Sequence, residues 1–168
     1  MSRYRLDSPV ATATVRMTCR RWIMALATLA ACVAHAAAPP SIGALRAKFP
    51  QGIPWHVEFA DSAGKSLGSI DMRITTARGD SCLGDMGPDG VRVEYVRIND
   101  LSPTLSVTSH GVAKFSGDQI KVDLTGGRCD AYLLMTGALA PNGSSSGDVY
   151  TFGMRGGHDI ATYKATAE

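Results

Sequence analysis

The chain has 168 residues, of which 45% are hydrophobic and 19% charged, and its formal net charge is +2. This length gives room for one domain. The positive balance comes from the N-terminus, because five of the 17 basic residues but only one of the 15 acidic residues precede residue 39. The remaining 12 basic and 14 acidic residues give a net charge of −2 and form no cluster, which argues against nucleic acid as a partner.

Residues 1–38 have the pattern of a secretory signal peptide. Arg20 and Arg21 precede a nearly apolar run of about ten residues, and small residues follow. A run of this length is too short to cross a membrane as a helix. Met17 is an alternative start, which would make the preceding residues a start-site extension. We therefore predict a periplasmic or secreted protein of bacterial origin in which residues 39–168 form one domain.

Cys32 offers an alternative destination. The residues before it, Leu-Ala-Ala, resemble the bacterial lipobox, in which the cysteine becomes the lipidated first residue of an outer-membrane lipoprotein. The other reading is ordinary cleavage after Ala36, which removes Cys32. A lipid anchor at Cys32 is thus the one route by which we expect a membrane to be a partner.

The exported part begins with a short predicted helix. Ser41 can cap residues 42–49, and Pro50 ends them. Ile42, Leu45 and Phe49 fall near one face of this helix, so we expect it to cover one end of a sheet.

From residue 55 onward, apolar and polar residues alternate, which is typical of strands with one buried face. Segments rich in Gly, Asp and Ser separate these runs, and no helix is long enough for a parallel crossover. The class predicted is all-β: a small antiparallel up-and-down, calycin-like barrel of about eight strands with a short N-terminal helix; a two-sheet sandwich is the alternative. The predicted strands are residues 55–59, 70–74, 91–98, 105–108, 112–115, 120–124, 131–135, 148–152 and 160–166.

Two cysteines, Cys82 and Cys129, remain after the signal region. In an oxidising compartment they are expected to form one disulfide. The alternative is metal ligation, which the sequence supports poorly because neither cysteine belongs to a CxxC pair and no histidine lies at ligand spacing. We predict no metal and no cofactor.

Catalytic patterns are sparse. His56 and Glu58 share the polar face of one predicted strand, where a carboxylate could orient an imidazole as a base. A solvent-exposed face is the commoner reason for such residues. We therefore expect a protein that is not an enzyme.

The barrel interior is the first predicted site. A barrel of about eight strands either fills its interior with side chains or holds one small ligand. The expected interior side chains, which would line a site for a small apolar ligand or simply form the core, are Trp55, Phe59, Phe115, Tyr132, Leu134 and Tyr150.

The loop of residues 77–90 is the second predicted site. Asp80, Asp85 and Asp89 lie in it, at spacings typical of turns and unlike a calcium loop. A disulfide at Cys82 would order this loop at one barrel end, so it could bind an envelope protein. In architecture the chain resembles calycin-type barrels, lipocalins and avidins among them. It is similar in size, barrel form and single disulfide to small periplasmic lysozyme inhibitors, which implies a loop-mediated inhibitor or immunity protein as the alternative function.

Overall fold

The computed structural model describes residues 42–153 and 156–168. The predicted signal peptide, the alternative start at Met17 and the candidate lipidation site at Cys32 lie outside these residues. The described elements are α1 (Ile42–Lys48), β1 (Ile53–Ala60), β2 (Ser66–Arg78), β3 (Val91–Asn99), β4 (His110–Ser116), β5 (Gln119–Asp123), β6 (Ala131–Leu139), β7 (Ser145–Gly153) and β8 (Gly156–Ala167).

The eight strands form a closed barrel in which each strand pairs with its neighbours in sequence. All of the pairings are antiparallel, and β8 closes the barrel on β1. Closure joins the two strands that would otherwise be the edges of an open sheet, which is the physical reason for favouring a barrel over a sandwich. The predicted fold class is confirmed.

Residues 105–108 do not form the strand that was predicted. Leu105 is 1% exposed and belongs to the barrel core, while the backbone N–H of Thr108 donates to the carbonyl of Leu124 at 3.4 Å. These apolar residues therefore lie in the β3–β4 connection, which is not part of the sheet, and they cover one end of the barrel. An alternating apolar pattern does not distinguish such a connection from a strand.

Side chains fill the inside of the barrel. Val57, Val93, Val122, Met135 and Val149 belong to the core, and each has no exposed surface. Side chains that line an internal cavity large enough for a ligand would have accessible surface inside the barrel. Their complete burial thus indicates a packed core, as close packing of protein interiors predicts.

The short helix covers one end of this core, as predicted. Leu45 is 3% exposed and joins the barrel core, and Ile42 and Phe49 pack against it. At the same end, the indole N–H of Trp55 donates to the carbonyl of Gly143 at 3.0 Å. Since seven residues are too few for a stable isolated helix, this packing is what holds α1 in place.

Candidate functional site

Three of the six predicted interior residues lie where the sequence indicated. Trp55 and Phe59 are 2% and 1% exposed and belong to the barrel core. Phe115 is half-buried and packs against the same core. These side chains contribute to the filled interior, and they do not surround an open space.

The other three residues, Tyr132, Leu134 and Tyr150, lie on the outer wall, which corrects their predicted position. Leu133 and Met135 are part of the core, so the residues that alternate with them on β6 point outward. Tyr150 lies opposite Leu134 in the β6–β7 ladder and shares its face. Leu134 is nevertheless only 2% exposed, because this wall carries a buried apolar layer of its own.

Residues 79–90, which we name the strap, lie along this outer wall. The N–H of Gly79 donates to the carbonyl of Gly90 at 2.9 Å and closes the base of the strap. From β4, Lys114 Nζ donates to the backbone oxygen of Asp85 at 2.7 Å. From the strap, Ser81 Oγ donates to Asp123 of β5 at 2.8 Å. The strap thus packs against β4 and β5, whereas the sequence predicted an ordered loop at one end of the barrel.

The predicted disulfide between Cys82 and Cys129 is confirmed. It joins the β2–β3 connection to the β5–β6 connection, and in an up-and-down barrel these two connections leave opposite ends. The covalent link therefore holds the strap across the wall. A structural disulfide is typical of proteins in an oxidising, non-cytoplasmic compartment.

Two glycines allow the strap to approach the wall closely. A Cβ atom at Gly79 would lie 2.9 Å from a methyl carbon of Val112, and one at Gly90 would lie 2.8 Å from the same methyl. Val112 has no exposed surface, and Met86 in the strap is 1% exposed. The strap therefore has its own apolar anchor on the outside of the barrel.

Asp123 connects the strap to the next turn. Its carboxylate is fully buried and accepts hydrogen bonds from Ser81 Oγ (2.8 Å), from the Thr125 N–H (2.9 Å) and from Thr125 Oγ1 (2.8 Å). These three donors offset the cost of burying the carboxylate. Burial, together with the charge of Asp123, raises the pKa of Tyr95. This role could not be predicted from the sequence, because Asp123 occupies an ordinary polar position in an alternating strand.

The three aspartates of the strap differ in their surroundings. Asp85 forms an ion pair with Lys121 of β5, so it holds the strap against the wall. The side chain of Asp80 is 94% exposed and lies 4.0 Å from Arg78, and Asp89 is also exposed. Within residues 42–153 and 156–168, no three acidic, histidine or cysteine side chains lie close enough to hold a metal ion.

A groove of about 360 Å³ lies where the strap meets the helix. Apolar surface from Ile42 and Phe115 is combined with the charges of Arg46, Arg78 and Asp89. The groove is open to solvent at the end of the barrel that α1 covers.

His56 has a different partner from the one that the sequence indicated. Its Nδ1 lies 2.6 Å from Asp71 Oδ1 on the neighbouring strand, while Glu58 is 4.0 Å from Nε2. Arg97 donates to the second Asp71 oxygen at 2.7 Å. The hydrogen bonds from His56 and Arg97 hold the pKa of Asp71 below its usual value. The sequence signal for Asp71 was its polar position in a hairpin strand, but the register His56↔Asp71 was needed to pair the two residues.

The surroundings of His56 Nε2 bear on a nucleophilic mechanism. In the part of the chain that the structure describes, no hydroxyl or thiol group forms a hydrogen bond with His56 Nε2. A nucleophilic mechanism needs such a neighbour, and the base also needs a site for the reacting atom. We interpret the network as hydrogen bonding that links β1, β2 and β3 on the outer wall.

Two further findings bear on function. Among the residues described, no helix has both the length and the hydrophobicity that crossing a membrane requires. Comparisons with protein-family models, with curated proteins and with solved structures found no match to this chain.

Proposed function

We propose that the chain is an exported bacterial envelope protein, without enzymatic activity, that binds another protein through the strap and the adjoining groove. The observation that carries this proposal is the combination of a filled barrel with a covalently held outer loop. A barrel of this kind fits a binding protein in general, and its outer surface is the part with room for a partner.

The packed interior favours this function over the binding of a small apolar ligand in the lumen. Trp55 and Phe59, two of the large aromatic residues that would line such a site, are almost fully buried among core side chains. A ligand of drug-like size needs a pocket of about 300–1,000 Å³. Opening that volume would require the core to be repacked.

The strap is suited to binding because it is already ordered. The disulfide, the Asp85–Lys121 ion pair and the buried Met86 side chain fix its backbone on the wall. A fixed loop loses less conformational entropy when a partner binds. Asp80 and Asp89, which are exposed, would contribute electrostatic complementarity to a partner with basic residues.

Two observations support the proposal that the protein is exported. The signal-like segment before residue 39 is one, and the Cys82–Cys129 disulfide, which an oxidising compartment maintains, is the other. The periplasm or the cell exterior is the proposed location, and lipidation at Cys32 would place the same domain on the outer membrane.

Site-specific photo-crosslinking in living cells tests this function. A benzophenone amino acid replaces Pro88, which is exposed in the strap, or Ala138, which is exposed on the wall at β6 as the matched control. We expect protein adducts of discrete mass from position 88, none from position 138, and loss of the adducts when Asp89→Arg reverses the charge beside the probe.

The same experiment can overturn the proposal. Identical adduct patterns from positions 88 and 138 would show that contact with the strap is unspecific. No adduct from position 88, in cells where the disulfide is intact, would remove the strap as a binding site.

A further inference from the structure

Two lysines face each other on the outer wall beside the strap. Lys114 of β4 lies directly opposite Lys121 of β5 in the ladder, and both are half-buried. Ala113 and Val122, which alternate with them, belong to the barrel core, so the two lysines point outward. Like charges directly opposite each other destabilise an antiparallel pair. The arrangement therefore favours an anion that offsets the repulsion.

Asp85 of the strap supplies only part of this negative charge. Its carboxylate pairs with Lys121, whereas Lys114 donates at 2.7 Å to its backbone oxygen, which carries no net charge. Burial lowers the pKa of Lys121, but its contacts with Asp85 and Tyr150 raise it by more, so this ammonium group stays charged. Within the described residues no second carboxylate forms an ion pair with either lysine. Two ammonium groups thus share one carboxylate.

A pocket of about 310 Å³ lies beside these three residues, and we name it the lysine pocket. Ser116 and Thr136, whose hydroxyl groups can donate hydrogen bonds, also line it. In the part of the chain that the structure describes, neither hydroxyl has a hydrogen-bond partner. Gln119 lines the pocket as well, but its Nε2 donates to Asp118 Oδ1 at 3.4 Å. The pocket thus combines one uncompensated positive charge with two available hydroxyl donors.

We propose that the lysine pocket binds a phosphate group, either free or as a monoester. A phosphate group carries a charge of about −1.5 to −2 near neutral pH and offers several acceptor oxygens. Ammonium groups bind such oxygens through charge-assisted hydrogen bonds. The side chain of Lys121 is only 27% exposed, and partly buried charges are screened less by salt than fully exposed ones.

Asp85 limits the affinity of the proposed site. Its carboxylate offsets one lysine charge and repels the second unit of charge on a phosphate group, so we expect weak binding by the wild type. The site uses Asp85 but none of the strap residues at which a protein partner is proposed to bind. It is therefore independent of the function proposed above.

NMR titration of the ¹⁵N-labelled protein with inorganic phosphate, from about 0.1 to about 20 mM, tests the site. We expect the largest shifts at the backbone amides of Lys121 and Thr136 and none in α1. Sodium chloride at matched ionic strength should not produce these shifts. Co-sedimentation with vesicles that contain phosphatidic acid distinguishes the source of the phosphate group. Binding to these vesicles identifies a lipid headgroup, and binding of inorganic phosphate alone identifies a soluble phosphate.

Charge variants separate a phosphate site from a purely structural role of the lysines. Lys114→Gln and Lys121→Gln should each weaken phosphate binding by at least about tenfold in dissociation constant. Asp85→Asn should strengthen it by at least about threefold, because the competing carboxylate is removed. Lys164→Gln is the matched control, since it removes the same charge from an exposed position on β8, and it should bind like the wild type.

The Asp85→Asn variant gives the most decisive result. It breaks the same contact between strap and wall as Lys121→Gln does, so a loss caused by loosening of the strap would appear in both variants. Weaker phosphate binding by Asp85→Asn would therefore overturn the proposal. A wild type that binds neither inorganic phosphate nor the vesicles would overturn it as well.

Discussion

Replacing both Cys82 and Cys129 by alanine is expected to lower the free energy of unfolding by about 4 kcal/mol. The disulfide closes a loop between residues separated by 47 positions, and the chain entropy of the unfolded state rises when the link is removed. Chemical denaturation followed by circular dichroism measures the change. The wild type in reductant serves as a control that introduces no substitution.

The location of the effect is as informative as its size. Without the link, the strap is held by weaker contacts, among them the Asp85–Lys121 ion pair and the Ser81–Asp123 hydrogen bond. We expect residues 79–90 to exchange faster through local opening, whereas amides in β1 and β8, which lie away from the strap, should lose protection only to the extent that the global free energy of unfolding falls. A loss of stability below about 1 kcal/mol would contradict the role of the disulfide.

Phe59→Ala should lower the free energy of unfolding by about 3–5 kcal/mol, whereas Tyr132→Ala should lower it by about 1 kcal/mol. Both aromatic residues were predicted to line the interior. Phe59 is packed within the core at 1% exposure, and its truncation leaves a cavity. Tyr132 lies on the outer wall, where its ring centroid is 6.2 Å from that of Phe152 and its hydroxyl donates to the Cys129 carbonyl.

Thermal and urea unfolding of the two variants give this comparison directly. If the lumen were open, Phe59→Ala would lower the free energy of unfolding only slightly, because a side chain that faces empty space has few contacts to lose. Similar losses for the two variants, or a larger loss for Tyr132→Ala, would contradict the filled interior and the outward position of Tyr132.

Local sequence patterns were sufficient for most of the barrel. Alternation of apolar and polar residues marked its strands, turn residues separated them, and the absence of a crossover helix required antiparallel connections. The prediction of a strand at residues 105–108 was wrong because Leu105 is buried at one end of the barrel without being part of the sheet. Burial of an apolar residue does not by itself show that it lies in a strand. The length and number of strands thus depend on tertiary pairing that the local pattern does not contain.

The candidate site was less predictable. The pairing of Cys82 with Cys129 followed from the compartment and the cysteine count, but the path of the strap over β4 and β5 did not. That path depends on contacts between distant residues, such as Ser81 with Asp123. The apolar run at residues 131–135 could signal either a lumen or a covered outer wall, and the structure distinguishes them because Leu133 and Met135 belong to the core and Leu134 is buried on the outer side.

The central claim is that the barrel is filled and that partners bind outside it. Native mass spectrometry of the protein isolated from periplasm tests this most directly. We predict the mass of the bare, disulfide-bonded chain, with no bound small molecule. A stoichiometric apolar molecule that is retained by the wild type and lost from Phe59→Ala would contradict the claim.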